Sequence, residues 1–342
     1  MLDKELITLA HGAGGTAMRR LIEDVFVAGF ATPGLSALED QAEFGLAALM
    51  EHGDRLAFTT DTFVVAPLFF SGGDIGSLAV AGTVNDLAMS GARPLYLSCG
   101  FVLEEGLPID TLRRVVRSMR QMADSAGVQI VTGDTKVVEK GAADQLFINT
   151  AGVGVIPRGV QVSASRAQVG DKVIVSGDIG RHGIAILMAR EQLALQSNVS
   201  SDCQPLGALV SQILLAGSDV HCLRDATRGG VATVLKEFAE SSNVAIQLVE
   251  SALPVDASVR GACEILGLDP LYLANEGTLV AVVPSKDADK VVKAMQSTPA
   301  GRRAAVIGEV TSSPAGRVVL ETQMGGKRIV EMLAGDQLPR IC

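Results

Sequence analysis

The 342-residue sequence has no pair of cysteines in the Cys-x-x-Cys spacing that zinc sites and redox motifs use. Its five cysteines are odd in number and scattered along the chain: Cys99, Cys203, Cys222, Cys263 and Cys342. This distribution is typical of reduced thiols in the cytosol and argues against a disulfide framework. We therefore expect a cytoplasmic protein whose cysteines are free.

The sequence also lacks the features that attach proteins to membranes or nucleic acids. No apolar run is long enough to span a bilayer, and residues 1–5 contain two acids and no apolar core of a signal peptide. The formal net charge is −9, so no basic excess is available to bind phosphate backbones or anionic lipids non-specifically. We predict neither a nucleic-acid partner nor a membrane partner.

A third absence is the Gly-x-x-x-x-Gly-Lys-Ser/Thr motif of P-loop nucleotide-binding proteins. The sequence has instead 37 glycines, which cluster beside carboxylates. Its hydrophobic fraction is 48% and its charged fraction 20%, which indicates folded cores rather than disorder. The glycines indicate backbone loops that approach a ligand closely.

Strands and helices alternate in both halves of the chain, which predicts an α/β or mixed α+β fold with two domains. We place the domains at residues 1–157 and 158–331, followed by a mobile tail at residues 332–342. The tetrad Gly-Asp-Ile-Gly occurs at residues 73–76 and again at 177–180. This repetition is consistent with two halves that carry similar loops.

A glycine-rich loop, His-Gly-Ala-Gly-Gly, occupies residues 11–15. Thr16 is placed to N-cap the helix that follows, and a glycine loop before a helix N-terminus can bind an anion. A plain tight turn explains the same pattern. The candidates in this loop are His11, as a ligand, polar contact or structural histidine, and Gly12, Gly14 and Gly15 for a cofactor.

Two aspartates each follow a predicted strand in the first half of the chain. The strand at residues 55–60 ends at Asp61, and the strand at residues 128–133 leads directly into Asp134. Ligands often collect at strand ends in α/β folds. Both acids are therefore candidates for a metal or cofactor site.

A polar pair, Asn85 and Asp86, interrupts a predicted helix that is otherwise small and apolar. Such a pair must be hydrogen-bonded or bind a ligand, because burial without a partner is costly. Counted with Asp61 and Asp134, the pair favours ligand binding, and Asn85 is a cofactor-binding candidate. Mg²⁺ prefers carboxylate oxygens and usually bridges to phosphates. Asp86 together with Asp61 and Asp134 therefore predicts a magnesium–nucleotide site, with Lys136 as a neighbouring cation. Three unrelated surface acids are the alternative interpretation.

Two further polar residues stand in suggestive places. Asn149 lies inside a long predicted strand at residues 145–156, and we consider it a cofactor-binding candidate. Asp225 lies in a polar, glycine-ended loop at residues 224–230. It either holds a second cation or caps the helix that follows.

The chain stops on a cysteine, in the sequence Leu-Pro-Arg-Ile-Cys at residues 338–342. Pro339 stiffens this segment and cannot continue a helix, and Gly335 upstream can act as a pivot. A terminal thiol on such a tail can be carried to more than one active site. A chance ending explains Cys342 equally well unless the body of the protein performs a reaction that needs a mobile thiol.

Seven short motifs stand out together, at residues 11–15, 60–61, 85–88, 132–137, 224–230, 274–277 and 339–342. They resemble those of the HypE family of hydrogenase maturation proteins. The resemblance runs from near residue 8 to the last residue, and the Pro-Arg-Ile-Cys terminus distinguishes this family. The acids and glycine loops are shared more widely, with aminoimidazole ribonucleotide synthetase, selenophosphate synthetase and thiamine-monophosphate kinase.

The resemblance implies a two-domain fold like the aminoimidazole ribonucleotide synthetase superfamily, in which N-terminal domains pair into a homodimer around a barrel-like sheet. It also implies an activity. HypF places a carbamoyl group, made from carbamoyl phosphate, on the terminal thiol. The HypE protein then uses ATP to dehydrate the S-carboxamide to a thiocyanate. The cyano group passes to iron on the HypC–HypD complex, for the NiFe hydrogenase active site.

The resemblance also suggests roles for the candidate residues. Cys342 carries the reacting group, and ATP with Mg²⁺ turns the amide oxygen into a leaving group. Lys136 would stabilise charge, Glu276 would act as base or orienting group, and the loop at residues 11–15 would cradle phosphate or the tail. Which of Lys136, His11 and Glu276 moves the proton stays open. The metal candidates are Asp61, Asp86, Asp134 and Asp225.

Two other functions compete with this one. A small-molecule ATP-dependent kinase or synthetase of the same superfamily would share the acids and glycine loops. Selenophosphate synthesis would be expected to need a reactive cysteine near the N-terminus, and none precedes Cys99. A non-catalytic thiol carrier would use the body of the protein for docking only, and the acids argue against it.

Overall fold

The structure is a computed structural model that describes residues 6–32, 35, 39–190, 198–216, 219–333, 335 and 338–342. Residues 1–5, on which the expectation about a signal peptide rests, lie outside this part. Residues 334, 336 and 337 of the expected tail also lie outside it.

The first structural unit is built on a four-stranded sheet and a small two-stranded ribbon. Its strands are β1 (Arg55–Phe63), β2 (Phe69–Phe70), β3 (Gly73–Asp74), β4 (Arg93–Glu104), β5 (Gln129–Val138) and β6 (Leu146–Ile156). The sheet has the order β1-β6-β4-β5, and β2 pairs with β3. β6 is antiparallel to both β1 and β4, whereas β5 runs parallel to β4.

The helices of this unit are α1 (Thr16–Leu21), α2 (Ala28–Phe30), α3 (Leu46–Met50), α4 (Ile75–Met89) and α5 (Ile109–Ala126). A π-helical stretch, Ile22–Val27, joins α1 to α2. The N-cap of α1 is Gly15 and not Thr16 as predicted, and Thr16 is the first residue of the helix. The glycine loop therefore runs directly into the helix.

Helix α4 lies between the first sheet and the second structural unit. Asp74 caps it by accepting hydrogen bonds from the amides of Gly76 and Ser77, at 2.7 and 3.0 Å. Every residue of α4 except Asp86 is buried. The small side chains of this helix allow close packing on all sides, so the one exposed carboxylate is placed by a rigid element.

The second structural unit contains a seven-stranded sheet. Its strands are β7 (Lys172–Val175), β8 (Cys222–Asp225), β9 (Ala245–Val249), β10 (Leu279–Val283), β11 (Ala305–Thr311), β12 (Val318–Glu321) and β13 (Lys327–Val330). The strand order is β13-β12-β9-β11-β7-β10-β8, and every neighbouring pair is antiparallel except β12 with β9.

Helices cover both faces of this sheet and bury its alternating apolar side chains. They are α6 (Arg181–Ala189), α7 (Gly207–Leu215), α8 (Gly230–Ser241), α9 (Ala257–Leu266) and α10 (Ala288–Gln296). Helix α8 packs on the face that carries Val173 and Val175, and helices α7 and α10 pack on the face that carries Ile174. Ala88 and Met89 of α4 join the second of these cores, which links the two units.

Two strands extend further than the sequence predicts. β1 pairs with β6 as far as Phe63, and β5 pairs with β4 as far as Val138. Asp61 and Asp134 therefore lie within strands and not at strand ends, because backbone pairing continues past them. Since side chains alternate along a strand, the face to which each acid points is fixed by its register.

Within the part of the chain that the structure describes, no helix is both long and apolar enough to cross a membrane.

Candidate active site

The two faces of the first sheet carry different candidate residues. Thr62 pairs with Asn149, and both Asn149 and Asp134 pair with Gly100 across neighbouring strands. Residues in one such row project to the same face of a sheet. Asp134 and Asn149 thus share a face, and Asp61, which alternates with Thr62, points to the opposite one.

The face that Asp61 occupies is the face covered by α4. The Asp61 carboxylate reaches within 4.0 Å of the position that a Cβ on Gly82 would take. The Thr59 hydroxyl, also on this face, donates to Oδ2 of Asp86 at 3.0 Å. Asp225, the last residue of β8, faces the same space and interacts electrostatically with both acids. Three elements thus bring Asp61, Asp86 and Asp225 together.

Each of the three carboxylates makes ionisation of the others less favourable. Burial raises the pKa of Asp61. Although Asp86 keeps contact with solvent, the protein around its carboxylate removes part of its hydration, and this together with the charge of Asp61 raises the pKa of Asp86. Burial, followed by the charge of Asp86, raises the pKa of Asp225 to about 7. Arg228 near Asp61 and Arg224 near Asp86 offset this only in part. The cluster is short of positive charge, which is the condition of a cation or proton site.

Glu276 is the fourth acid of this group. Its side chain is 2% exposed, and within the described residues its Oε1 has no hydrogen-bond partner. Burial raises the pKa of Glu276 well above its usual range, and the charge of Asp225 adds to the effect. An unpaired buried carboxyl oxygen is costly in a folded protein, which makes Glu276 a candidate functional residue.

Asp202 organises the loop that carries Glu276. Its Oδ1 accepts the Glu276 amide at 3.1 Å, and its Oδ2 accepts the Gly277 amide and the Thr278 hydroxyl, both at 3.0 Å. A Cβ on Gly277 would lie 1.8 Å from the Asp202 carbonyl oxygen, so only glycine permits this approach. The loop at Glu276 is therefore held by two backbone amides and one hydroxyl that donate to a single carboxylate.

Both the oxygen and the nitrogen of the Asn85 side-chain amide form hydrogen bonds with protein backbone. Its Oδ1 accepts the Leu206 amide at 2.7 Å, and its Nδ2 donates to the carbonyls of Gln204 and Glu276 at 3.1 and 3.4 Å. These contacts support a structural role, in which Asn85 ties α4 to the loops around Glu276. The prediction that it binds cofactor stays a prediction.

Asp134 and Lys136 form an ion pair on the opposite face of the sheet. The Lys136 ammonium lies 2.7 and 2.5 Å from the two carboxylate oxygens, and both side chains are exposed. The hydrogen bond from Lys136 lowers the pKa of Asp134. The structure does not bring this pair together with Asp61 and Asp86, because the sheet lies between them. Metal binding by Asp134 stays a prediction.

Asn149 lies beside this pair. Its Nδ2 donates to the Asp61 carbonyl and to the Thr62 hydroxyl, each at 2.9 Å. Asn149, Thr62, Asp134 and Lys136 all line one cavity of about 140 Å³. A cofactor that contacts Asn149 would therefore lie on this face.

The loop at residues 11–15 approaches the same edge of the sheet. A Cβ on Gly12 would lie 2.9 Å from the Cβ of Val137, so glycine is needed for this approach. His11 is buried, and its Nδ1 accepts the Thr8 amide at 3.0 Å. This bond caps a short helical turn, Leu9–Gly12, which supports the structural interpretation of His11.

The residues fit a magnesium ion that arrives with a nucleotide. Within the described ranges, no three His, Cys, Asp or Glu side chains converge to hold a metal ion alone. Mg²⁺, however, is commonly held by one or two carboxylates with waters and phosphate oxygens. Asp61, Asp86 and Asp225 supply carboxylates of that kind, and their excess of negative charge favours a cation.

Three of the five thiols, those of Cys99, Cys222 and Cys263, are buried, and that of Cys203 is partly buried. Burial raises the pKa of Cys99 and of Cys203, raises that of Cys222 to about 12 and raises that of Cys263 to about 11. All four are free of disulfides, as is Cys342. A thiol with so high a pKa is not a nucleophile at neutral pH.

The terminal segment, residues 338–342, is docked against the first unit. The Val64 amide donates to the Cys342 carbonyl at 3.0 Å, and the Ala66 amide donates to the Arg340 carbonyl at 3.3 Å. The two bonds define an antiparallel pairing directly after β1. The Ile341 side chain, 4% exposed, enters the core of the first unit, and Cys342 packs against the same core.

Some residues that bind loops or the tail have no recognisable pattern in the sequence. Asp202, His182 and Arg190 contact backbone groups far away in the sequence. The only local signal was the polar run Ser200-Ser201-Asp202 between two apolar helices. Backbone recognition of this kind leaves no spacing pattern, so the fold was needed to find it.

Comparisons with known proteins agree with this architecture. The family described as AIR synthase related protein, N-terminal domain, matches residues 44–156, and the corresponding C-terminal domain family matches residues 168–321. Carbamoyl dehydratase HypE of Rhodobacter capsulatus is 53% identical over 341 residues, covering 100% of this chain and 99% of that protein. The HypE protein of Escherichia coli (strain K12) is 53% identical over 336 residues, covering 98% of this chain and 99% of that protein.

Solved structures give the same result. A hydrogenase maturation protein HypE in complex with ATP superimposes with a TM-score of 0.93 at 49% identity, covering 98% of this chain and 99% of that chain. The structure of a HypE–HypF complex matches with a TM-score of 0.79 at 47% identity, covering 92% of this chain and 99% of that chain.

The two domains and the acid cluster between them define a protein of the AIR synthase related class. Within that class, this chain belongs to the HypE family, the carbamoyl dehydratases of hydrogenase maturation. The two-domain mixed α/β fold expected from the sequence is confirmed, and so is the resemblance.

Proposed function

We propose that this chain uses ATP to remove water from an S-carboxamide on its own Cys342, and that the thiocyanate product supplies cyanide to the iron of a NiFe hydrogenase. The observation that carries the proposal is the docked terminus. The Cys342 carbonyl lies against Val64, directly after the strand that carries Asp61. The similarity to a HypE solved with ATP supports the choice of phosphoryl donor.

The chemistry needs a leaving group at carbon and a base at nitrogen. An amide oxygen leaves poorly, so the γ-phosphoryl group of ATP is transferred to it. The nitrogen then loses its protons as the carbon–oxygen bond breaks, which leaves the nitrile on sulfur and releases phosphate and ADP. The chain must hold the triphosphate, fix the tail and accept a proton.

Glu276 is the strongest candidate for the base. It is buried and has a free carboxyl oxygen in a rigid loop, whereas Lys136 is bound to Asp134 across the sheet and His11 Nδ1 is occupied by Thr8. Burial and the neighbouring acids raise the pKa of Glu276 well above its usual range, which favours its neutral form in the ligand-free chain. A nearby cation would reverse that shift and free the carboxylate to act.

Asp61, Asp86 and Asp225 would hold Mg²⁺ together with phosphate oxygens. When bound, the ion would neutralise phosphate charge during transfer. Asp134, Asn149 and the loop at residues 11–15 would contact a part of the nucleotide on the other face of the sheet. Gly14 and Gly15 leave open space there for phosphate or adenosine, whereas Gly12 lets the loop approach Val137, and Gly14 has the left-handed φ of +76°.

The tail must also leave its dock, since three partners need the same thiol. HypF would deliver the carbamoyl group, as the similarity to a HypE–HypF complex supports, and the HypC–HypD complex would take the cyano group. The reaction belongs in the cytoplasm, where the five free thiols stay reduced.

The decisive experiment is intact-mass analysis of the chain after incubation with HypF, carbamoyl phosphate and ATP. We expect a carbamoylated species that ATP converts to one lighter by a single water, with the label confined to the terminal peptide. Cys342→Ala should accept no carbamoyl group and still bind ATP. A label on Cys99, Cys203, Cys222 or Cys263 would disprove the tail-carrier mechanism. If Cys342 is carbamoylated but ATP causes no loss of water, the protein is a thiol carrier and not a dehydratase.

We further propose a homodimer that forms through the face of the first sheet opposite α4. Phe58 and Leu56 lie on this face, 72% and 60% exposed, beside the row that contains Asn149. Exposed apolar side chains on a sheet favour burial against a second copy. Sedimentation should give a dimer at micromolar concentration and a monomer for Phe58→Glu. A monomeric wild type would contradict this.

A further inference from the structure

Helix α6 holds the docked terminus by its peptide carbonyls. His182 Nε2 lies 2.8 Å from the Ile341 carbonyl oxygen. Arg190, the C-cap of α6, places Nη2 at 2.5 Å from the Pro339 carbonyl and 2.9 Å from the Arg340 carbonyl. One helix thus binds three successive carbonyls next to Cys342.

The hydrogen-bond network fixes the tautomer of His182. Ser201 Oγ accepts the Cys203 amide at 3.0 Å, and its hydroxyl proton can then be donated to His182 Nδ1 at 2.8 Å. Because the Ile341 carbonyl can only accept, Nε2 carries a ring proton and donates it to that carbonyl. Burial lowers the pKa of His182, which favours this neutral form. Phe70 packs edge-on against the ring with centroids 5.5 Å apart, which restrains its orientation.

Arg190 connects the tail to the segment on which it docks. Its Nε donates to the Ala66 carbonyl at 3.0 Å, while the Ala66 amide binds the Arg340 carbonyl. The guanidinium therefore contacts both strands of the antiparallel pairing. A planar group with several fixed donors suits this bridging geometry, and a lysine could supply only part of it.

The same network reaches the proposed base. Ser201, which orients His182, precedes Asp202, and Asp202 holds the backbone of Glu276. The Ser201 amide in turn donates to the Ser71 carbonyl at 2.8 Å. The dock of the tail and the loop of Glu276 are thus anchored on adjacent residues.

We propose that His182 and Arg190 are positioning residues, which hold residues 339–341 so that the group on Cys342 reaches the site of dehydration. The inference rests on the proposed function for its catalytic part only. Docking itself is a property of the unmodified chain. Because backbone carbonyls are bound, the contacts do not depend on what Cys342 carries.

Docking is tested by hydrogen exchange at the amides of Val64 and Ala66, which donate to the tail. A chain ending at residue 337 gives the undocked reference. His182→Leu removes the donor and should lower protection of both amides by roughly three- to tenfold. His182→Gln places an amide donor near the position of Nε2 and should restore most of the protection. Arg181→Gln, on the same helix but bound to the Ser200 carbonyl, is the matched control and should leave both amides protected.

Arg190→Gln gives an independent test at a position that is less buried than His182. Protection of Ala66 should fall by roughly tenfold or more, because a charged donor to two carbonyls is lost. Arg190→Lys should recover part of it. Near-ultraviolet circular dichroism and ATP binding report whether a variant is folded. His182→Leu and Arg190→Gln should keep the wild-type spectrum and should still bind ATP.

Positioning is tested by single-turnover dehydration of chain that has already been carbamoylated. Arg190→Gln should slow the first-order conversion while ATP affinity stays unchanged. Unaltered exchange at Val64 and Ala66 in both His182→Leu and Arg190→Gln would overturn docking by α6. Altered exchange with an unaltered conversion rate would overturn the positioning role. If wild-type chain is not converted at all, the proposed function fails, and the exchange data still decide whether α6 holds the tail.

Discussion

The two acidic regions on either side of the first sheet differ in what balances their charge. Asp134 is neutralised by Lys136, is exposed, and has a lowered pKa. Asp61, Asp86 and Asp225 on the α4 side repel one another, and their pKa values are raised. The charge of the Asp134 region is balanced without a ligand, whereas the region of Asp61, Asp86 and Asp225 has an excess of negative charge.

This difference indicates which region should gain electrostatic free energy when a ligand binds. A balanced pair on a surface contributes little to stability in either direction. Like charges held together by a rigid helix and two strands destabilise the ligand-free protein, and a cation that binds there releases that strain. The α4 side is therefore the region from which ligand binding should draw most of its electrostatic energy.

The largest effect is expected at Glu276. Glu276→Gln keeps the size of the side chain and removes the base, so dehydration should slow by at least about a hundredfold. Carbamoylated Cys342 should accumulate, and intact mass with ATP present measures it. Dehydration at the normal rate would remove Glu276 from the role of base, and Lys136 and His11 would be tested next.

The next effect compares the two faces directly. Asp86→Asn should weaken binding of Mg–ATP by roughly tenfold or more, because a charge-assisted contact contributes about 1.5–3 kcal/mol. Asp134→Asn, the matched substitution on the other face, should weaken it less. Titration calorimetry in the presence of Mg²⁺ measures both. Equal losses would mean that binding of Mg–ATP depends on the Asp134 face as strongly as on the α4 side, contrary to the charge comparison.

A smaller effect concerns stability without ligand. The pKa of Asp225 is about 7 in the folded chain and lower when unfolded. The group therefore stabilises the fold below pH 4, and this contribution is lost as the pH rises to about 7. Asp225→Asn, measured with a chelator present, should raise the Tm by a few degrees at pH 8 and much less at pH 5. An equal change at both pH values would refute a charge origin.

The smallest effect is expected at the balanced pair. Lys136→Met should change the free energy of unfolding by no more than about 1 kcal/mol, since both partners are exposed. Urea denaturation of Lys136→Met, Asp134→Asn and the double variant isolates the pair. A coupling energy several times larger would contradict the view that Asp134 and Lys136 form an ordinary exposed ion pair.

The sequence predicted the fold class and most elements because apolar periodicity and glycine positions are local signals. It could not predict which candidate acids meet. Asp61 and Asp134 stand in similar surroundings along the chain, yet strand register sends them to opposite faces. Register depends on pairing between strands far apart in sequence, so no local pattern contains it.

Asn85 illustrates a second limit of the sequence. A polar residue in an apolar helix indicates a buried polar contact, and this was predicted. The sequence favours a ligand as the partner of Asn85, whereas the structure supplies three backbone partners. Asp202 and His182 escaped notice for the same reason, since their partners are peptide groups.

The buried thiols have a consequence for chemoselectivity. An acyl donor that meets this chain encounters four other thiols whose pKa values are raised by burial, two of them to about 11 and 12. Their low thiolate fraction disfavours acylation, so the fold of the recipient contributes to the choice of cysteine. Part of the selectivity that would otherwise require a tight protein–protein fit is contained in the fold of the acceptor.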